Sequence, residues 1–428
     1  MKLTSLEIKN FRCFENITID FDKKLTVLVG KNGSGKTSIL DVIAVLFSYI
    51  SGSGSMVDED YSFSRHDIHN SSISDSITVF TKLFSPHRTR DIVFKFDKFI
   101  KEKNLLCTKD IDKYIRISNE FRELDDRDYK ARNTFIYYNS KRNIINTLDS
   151  DSEQRHQFSD LLDLYTPNID YNASVRWFDA KDAEEARRRS RNPQEDHRDP
   201  VLTAVRTAIE KALPGNNYVF PHMDGTPPEF FITHNESGRE VKVTHLSDGY
   251  KVMLALVMDL ARRMAVIGEG HPTPPLEAPG IVLIDEVELH LHPAWQQTVL
   301  PSLMEIFPNI QFIVSTHSPQ IVTSVKPENV VILQDGMVKD VEISTYGAET
   351  SPVLQDIFGV SLRPPNKATE ALGEYLGLID AGNGTSSDAL VLREKLESLM
   401  PGDPILAVAD RMILREERRR ERMGKNHA

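Results

Sequence analysis

Residues 30 to 37 read GKNGSGKT, a Gly-x-x-x-x-Gly-Lys-Thr string. Its glycines, Gly30, Gly33 and Gly35, let the backbone curl so that successive N–H groups turn inward on an anion. From that curl the Lys36 amine can reach the β and γ oxygens of a nucleotide, and the Thr37 hydroxyl can hold Mg²⁺. Lys31, Asn32, Ser34 and Ser38 complete the candidate binding set. A second group of residues is IVLIDE, Ile281 to Glu286, four apolar residues ending in two acids. A buried strand of this kind would bring Asp285 to the metal. It would set Glu286 beside the γ-phosphate, where a carboxylate can orient or deprotonate a water. Apolar strands ending in acids are common, and it is the phosphate loop that gives this one a meaning.

STHSP, Ser315 to Pro319, ends another apolar strand. Parallel sheets present ligand sites at the C-terminal ends of their strands, which puts His317 on the same edge as Lys36 and Asp285. A donor there could sense the γ-phosphate, although a lone histidine ending a strand is more often structural. His290 and His292, in ELHLHP, bring no further ligand set with them, and capping or packing suffices for both. LSDGYK, residues 246 to 251, opens a long helix. Ser247, Asp248 and Gly249 stand at its start, where a hydroxyl and free N–H groups can bind an anion. Helix capping would explain Ser247 and Asp248 equally well. It does not explain why the string lies between the phosphate loop and the acidic strand.

These residues need a scaffold, and the pattern supplies one. LTSLEIKNFRCFENITIDF alternates as two strands with a bend at 10–14. KLTVLVG, GIVLIDE and QFIVSTHSP are short buried strands, each paired with a helical stretch, so the fold class is α/β with a mixed, mostly parallel sheet. NVVILQDGMVKDVEI reads as a hairpin turning at Asp335-Gly336. SITVFTKLF, DIVFKF and TFIYYNS read as strands. DPVLTAVRTAIEKAL reads as a helix with Leu202, Val205, Ile209 and Leu213 on one face. Glu184/Arg188 and Glu185/Arg189, four apart, suit an exposed helix. The expected domains are the N-terminal part of a head over 1–75, an inserted α+β lobe over 76–240, the rest of the head over 241–348 and a helical extension over 349–428.

Composition narrows the classes. The chain has 428 residues, 40% hydrophobic and 27% charged, which fits a soluble protein. No run approaches the roughly 18 apolar residues of a membrane helix. The N-terminus lacks a secretory pattern, and two cysteines, Cys13 and Cys107, fit a reducing cytoplasm. A net charge of −11 argues against a protein that coats nucleic acid through overall electrostatics. Residues 411–428 run the other way, with seven Lys or Arg against three Glu; a solvated mixed-charge helix is the plainer reading, docking the sharper one.

Taken together, GKNGSGKT, LSDGYK, IVLIDEVELHLHP and STHSP resemble the soluble, non-transport ABC-type ATPases, the SMC, Rad50, RecF and OLD-like group. LEIKNFRCF is similar to their opening strand and bend, which implies Arg12 near nucleotide. The resemblance implies a head that dimerises over two ATP, each held by one subunit's Lys36 and the other's Ser247 and Gly249. Asp248 fits the acid that this group carries in its signature. Glu286 would be the catalytic base, His317 the switch histidine, and ATP and Mg²⁺ the cofactors. The family's glutamine loop is expected within 58–70, where no glutamine stands.

WFDAKDAEEARRR, HRDPVLTAVRTAIEKALPG, DEVELHLHPAWQQ and GAETSPVLQDIFGV are further similar to the PtuA-like ATPases of Septu and retron anti-phage systems. That similarity implies an HNH-type nuclease partner, with reverse transcriptase, RNA or DNA in a larger complex and no membrane. Other readings are a repair ATPase of the RecF or Rad50 kind clamping DNA directly, and an OLD-type nuclease. The latter needs clustered acids after 349, and the sequence shows none.

Overall fold

Residues 25–29, LTVLV, are apolar or β-branched at every position and all are buried, so this strand sits between two layers. The computed structural model describes residues 2–50, 67–69, 76–84, 92–99, 134–140, 169, 171–192, 197–213, 217–226, 228–267, 274–339 and 344–425. Its strands are β1 (Lys2–Phe11), β2 (Phe14–Asp20), β3 (Leu25–Val29), β4 (Ser76–Phe84), β5 (Ile92–Phe99), β6 (Thr134–Tyr138), β7 (Tyr218–Asp224), β8 (Glu229–His234), β9 (Glu240–Lys242), β10 (Gly280–Ile284), β11 (Ile310–Thr316), β12 (Val330–Gln334) and β13 (Met337–Lys339). The helices of four or more residues are α1 (Lys36–Ile50), α2 (Tyr171–Arg191), α3 (Pro200–Ala212), α4 (Asp248–Ile267), α5 (Pro293–Gln296), α6 (Val299–Ile306), α7 (Pro319–Thr323), α8 (Thr350–Asp356), α9 (Lys367–Asp380), α10 (Ser387–Leu399) and α11 (Pro404–Lys425).

The central sheet runs β13-β12-β3-β11-β10-β6. Every pairing from β12 to β6 is parallel, and β13 folds back antiparallel. Alternation along each strand feeds two cores. Val27 and Val29, Val282 and Ile284, and Phe312 and Val314 face one core with α4. Leu28, Leu283 and Ile313 face the other, shared with α1 and with β1, β2 and β4. The two-residue period of a strand thus serves both layers from one short run. The result is the expected α/β architecture, a mostly parallel sheet with helices on its faces.

The other sheets bring in residues from the middle of the chain. β4 and β5 extend the N-terminal hairpin into a sheet ordered β2-β1-β4-β5, and β6 lies at the edge of the central sheet beside β10. β4, β5 and β6, which fall within the stretch read from sequence as an inserted lobe, thus pair into the same sheets as β1 and β10. β7-β8-β9 form a third sheet that period-2 patterning does not reveal. Phe220 takes a φ of 52°, and the register shifts between Val219 and His222 around Pro221, so alternation is lost where it would have been read.

One helix corrects the sequence reading. Glu184 and Arg188 pair on the surface at 2.6 Å as expected. Glu185, however, is fully buried. It accepts from Arg189, from Arg206 of α3 at 2.9 Å and from the Asp199 N–H at 2.7 Å. Burial pushes its pKa up, but the hydrogen bonds from Arg206 and Asp199 outweigh it and hold the carboxyl below its usual range. A same-helix i,i+4 partner could be read from spacing, whereas Arg206 arrives from another helix. That helix starts with Asp199 accepting from the Val201 and Leu202 N–H groups, and it buries Leu202, Val205, Ile209 and Leu213 as expected.

The chain divides into two compact units, Met1–Gly359 and Val360–Ala428. In the second unit α9, α10 and α11 pack around Leu372, Tyr375, Leu396 and Leu406. Arg393 of α10 forks onto the Asp410 carboxylate of α11, with both bonds at 3.0 Å. No helix among the described residues is long and apolar enough to cross a membrane.

Candidate nucleotide site

The C-terminal ends of β3, β10 and β11 are neighbours because the sheet is parallel, and this topology assembles the candidate residues. Thr37, first turn of α1, donates to both Asp285 oxygens at 3.0 and 3.2 Å. Ser315 also donates to Asp285, and the same Ser315 oxygen accepts from the Glu286 N–H at 2.8 Å. Glu286 has a φ of 47°, a left-handed backbone that turns it out of the strand line. The Lys36 amine, 5% exposed, folds back to donate to the Gly30 and Lys31 carbonyls at 2.9 and 3.0 Å.

A cleft of about 540 Å³ opens here, lined by Asn32, Gly33, Gly35 to Ser38, Arg12, Cys13, Asp285, Glu286 and His317. A lining that combines the cations Lys36 and Arg12 with the carboxylates Asp285 and Glu286 suits a polyphosphate held with a hard divalent ion. The oxygen donors of Thr37 and Asp285 fit Mg²⁺ in that role.

Arg12 lines this cleft but is already engaged. It donates to Asp41 at 2.7 Å, to Asp67 at 2.8 Å and to Ser38 at 3.2 Å. Tyr137 donates to the other Asp41 oxygen at 3.0 Å. Asp67 is one of the few described residues of the 58–70 stretch expected to hold a glutamine loop; 58–66 and 70 lie outside the described residues. Cys107 lies outside them as well.

Ser247, Asp248 and Gly249 do not line the cleft. Ser247 and Asp248 are exposed at the start of α4, with Asp248 accepting from Lys251 at 3.3 Å. Tyr250 packs edge-on against Trp295 at 4.2 Å and against Tyr218 at 5.4 Å, which fixes the turn from beneath. His292 accepts from the Ala294 N–H at 3.3 Å and caps α5.

Sequence patterning does not mark several residues that position the site. Glu288 accepts from Thr316 at 2.8 Å and from the His317 N–H at 2.5 Å, so it holds the backbone on which His317 sits. Tyr138, ending β6, accepts the Asp285 N–H on its carbonyl at 2.8 Å. Its hydroxyl donates to Asp259 of α4 at 2.9 Å. Asp259 also accepts from Ser174, Arg262 and Arg263 at 3.3, 3.2 and 2.7 Å, all in the buried core. A run such as MDLARR reads as the polar edge of a helix until its partners arrive from α2 and β6.

The His317 imidazole is pushed below its usual pKa of 6.5, first by burial and then by the Lys36 charge, with Glu288, Glu286 and Asp285 opposing. Between that lowered value and 6.5 the unfolded chain binds more protons than the folded one, so stability falls as pH drops through this window. The urea midpoint of the native chain is therefore expected to fall more between pH 7.5 and 5.5 than that of His317→Gln. Equal falls in the two proteins would remove His317 from the balance.

Fold and site together define a P-loop ATPase. The chain belongs to the family described as "AAA domain, putative AbiEii toxin, Type IV TA system", which matches residues 25–323. It is similar to "Retron Ec83 probable ATPase" of Escherichia coli, 25% identical over 91% of this chain and 82% of the relative. It is similar as well to "Septu protein PtuA" of Bacillus thuringiensis, 24% identical over 89% of this chain and 90% of the relative. Among solved structures, an SMC head bound to the C-terminal winged-helix domain of ScpA aligns over 80% of this chain and 98% of its own, with 17% identity and a TM-score of 0.44.

Proposed function

We propose that the chain binds ATP with Mg²⁺ in the cleft of the phosphate loop, closes as a dimer over two ATP, and controls a partner nuclease in an anti-phage defence complex. The observation that carries the first step is the meeting of Thr37 and Asp285 at 3.0 Å, with Lys36, Glu286 and His317 around the same cleft. The loop from Gly30 to Ser38 wraps the phosphates, Lys36 leaves the Gly30 and Lys31 carbonyls for the β and γ oxygens, and Thr37 and Asp285 hold the metal. Bound Mg²⁺ neutralises charge on the phosphate oxygens. Glu286 takes the proton of the attacking water. His317, on a backbone held by Glu288, donates toward the γ-phosphate. Arg12 fixes the wall through Asp41 and Asp67.

Dimerisation is supported by where the signature residues stand. Ser247, Asp248 and Gly249 are the start of a helix outside their own chain's cleft, and such a start favours an anion. In a dimer they reach the second copy's nucleotide. Ser247→Arg is expected to keep ATP binding, measured by calorimetry, and to lose ATP-dependent dimers in light scattering together with most hydrolysis. Full hydrolysis by this variant would sink the dimer reading.

The defence role is supported by the names of the retron and Septu relatives; the HNH-type nuclease as the controlled partner rests on the sequence resemblance alone. Purifying the chain from its native locus tests it. A co-purifying nuclease, with or without reverse transcriptase and RNA, is the expected result. A chain that retains only DNA would favour a repair clamp.

A further inference from the structure

Two helices of the second unit bury one face each and leave the other open. α11 turns Leu406, Ala409 and Ile413 into the core of the unit. At 100° per residue, positions 408, 411, 412 and 415 lie on the far side, and they are Val408, Arg411, Met412 and Arg415, all exposed. Most of the large apolar residues that stand exposed among the described residues belong to this same unit. Its other arginines are engaged, Arg363 on Asp403 and Arg393 on Asp410. Arg411 and Arg415 have no carboxylate partner among the described residues, and Arg411 donates only to the Ala407 carbonyl of its own helix, at 3.1 Å. Arginine and methionine are enriched where proteins meet, and the guanidinium fork is shaped for carboxylates.

α9 carries the complement. It buries Ala371, Leu372, Tyr375 and Ile379. The side it leaves exposed shows Glu370, Gly373, Glu374 and Gly377, the same spacing of three, one and three residues as on α11. Laid antiparallel, the two faces match at every position. Arg411 falls opposite Glu374 and Arg415 opposite Glu370, while Val408 falls opposite Gly377 and Met412 opposite Gly373. A Cβ at either glycine would meet nothing within 4 Å, so no contact inside the unit calls for glycine there. Glycine weakens a helix interior, but here it leaves a low floor between two glutamates on which an apolar side chain can rest. The match stops at these four pairs, because the next arginine, Arg418, would face Lys367.

We propose that a second copy of this chain occupies the α11 face, with its α9 laid antiparallel in this register. Twofold symmetry makes the contact twice, since each copy offers one face of each kind. The contact is separate from the ATP-bridged one and does not rest on it; a chain with both would join dimers into larger assemblies. A nucleic acid would satisfy the arginines, but it would leave Val408 and Met412 uncovered and the α9 face without a role. The net charge of −11 would also oppose it.

The test is sedimentation velocity on the full chain without nucleotide, so that no ATP-bridged dimer forms. Contacts this small are expected to give a reversible dimer with a dissociation constant on the order of 10 µM. Salt at about 1 M, where screening reaches within roughly 3 Å, should weaken it about tenfold. Arg411→Glu with Arg415→Glu is expected to leave monomers, as is Glu370→Arg with Glu374→Arg. An equimolar mixture of these two variants should dimerise again, because each then meets the opposite charge on the other. Circular dichroism checks that both variants fold. A native chain that stays monomeric at about ten times that concentration would overturn the proposal. So would variants that still dimerise alone, or folded variants that fail to restore each other. A monomeric native chain that instead binds a short labelled DNA duplex, and loses it in Arg411→Glu with Arg415→Glu, would assign the arginines to nucleic acid.

Discussion

Glu286→Gln is expected to cut ATP turnover by about 10²–10⁴-fold while ATP binding persists. The amide keeps the size of the carboxylate and its place on the turned-out backbone, but it cannot take the proton from water. The Glu286 N–H bond to Ser315 at 2.8 Å is a main-chain contact and survives the change, so the loop geometry is preserved. With hydrolysis blocked, the ATP-bound dimer should accumulate. The measurement is intact mass with and without ATP alongside single-turnover release of phosphate. Native turnover in the variant would mean that another group activates the water. Lost ATP binding would mean that Glu286 supports the cleft itself.

Asp259→Ala is expected to lower the stability of the first unit by about 3–5 kcal/mol, because it strands Arg262 and Arg263 in the core without their shared counter-charge. Both guanidinium groups are nearly or fully buried, at 3% and 0% exposure. Tyr138 and Ser174 would lose their acceptor as well. Chemical denaturation followed by circular dichroism reads the effect. A loss below about 1 kcal/mol would show that the arginines reach water or another acid, as surface pairs do. Tyr138→Phe removes only the hydroxyl bond and should cost about 1 kcal/mol. Activity should persist, since the Tyr138 carbonyl that accepts the Asp285 N–H is main chain and survives the change.

Much of this site is legible in sequence because its logic is local. A phosphate loop is one continuous string, and IVLIDE and STHSP announce strand and terminal chemistry within six residues. A parallel sheet then brings separate strings to one edge without further information. What is not legible is lateral. Asp41 and Asp67 occupy Arg12 from two distant segments, Glu288 supports His317 from the next loop, and Asp259 gathers α2, α4 and β6. Spacing along one helix suggested that Glu185 was exposed, because the residue that buries it, Arg206, belongs to another helix. β7 to β9 were hidden by a proline and a left-handed phenylalanine that break the alternation a strand is read from.

The aromatic packing beneath the LSDGYK turn has an optical consequence. The chain has two tryptophans, and one of them, Trp295, lies edge-on to Tyr250 of that turn and close to Gly249. Its indole emission will therefore shift whenever the turn is covered or moved. The other, Trp177, lies in α2 and packs at the margin of the core. With Trp177→Phe, Trp295 becomes a single fluorophore built into the motif. The approach of a second subunit could then be timed in a stopped-flow instrument without attaching a dye.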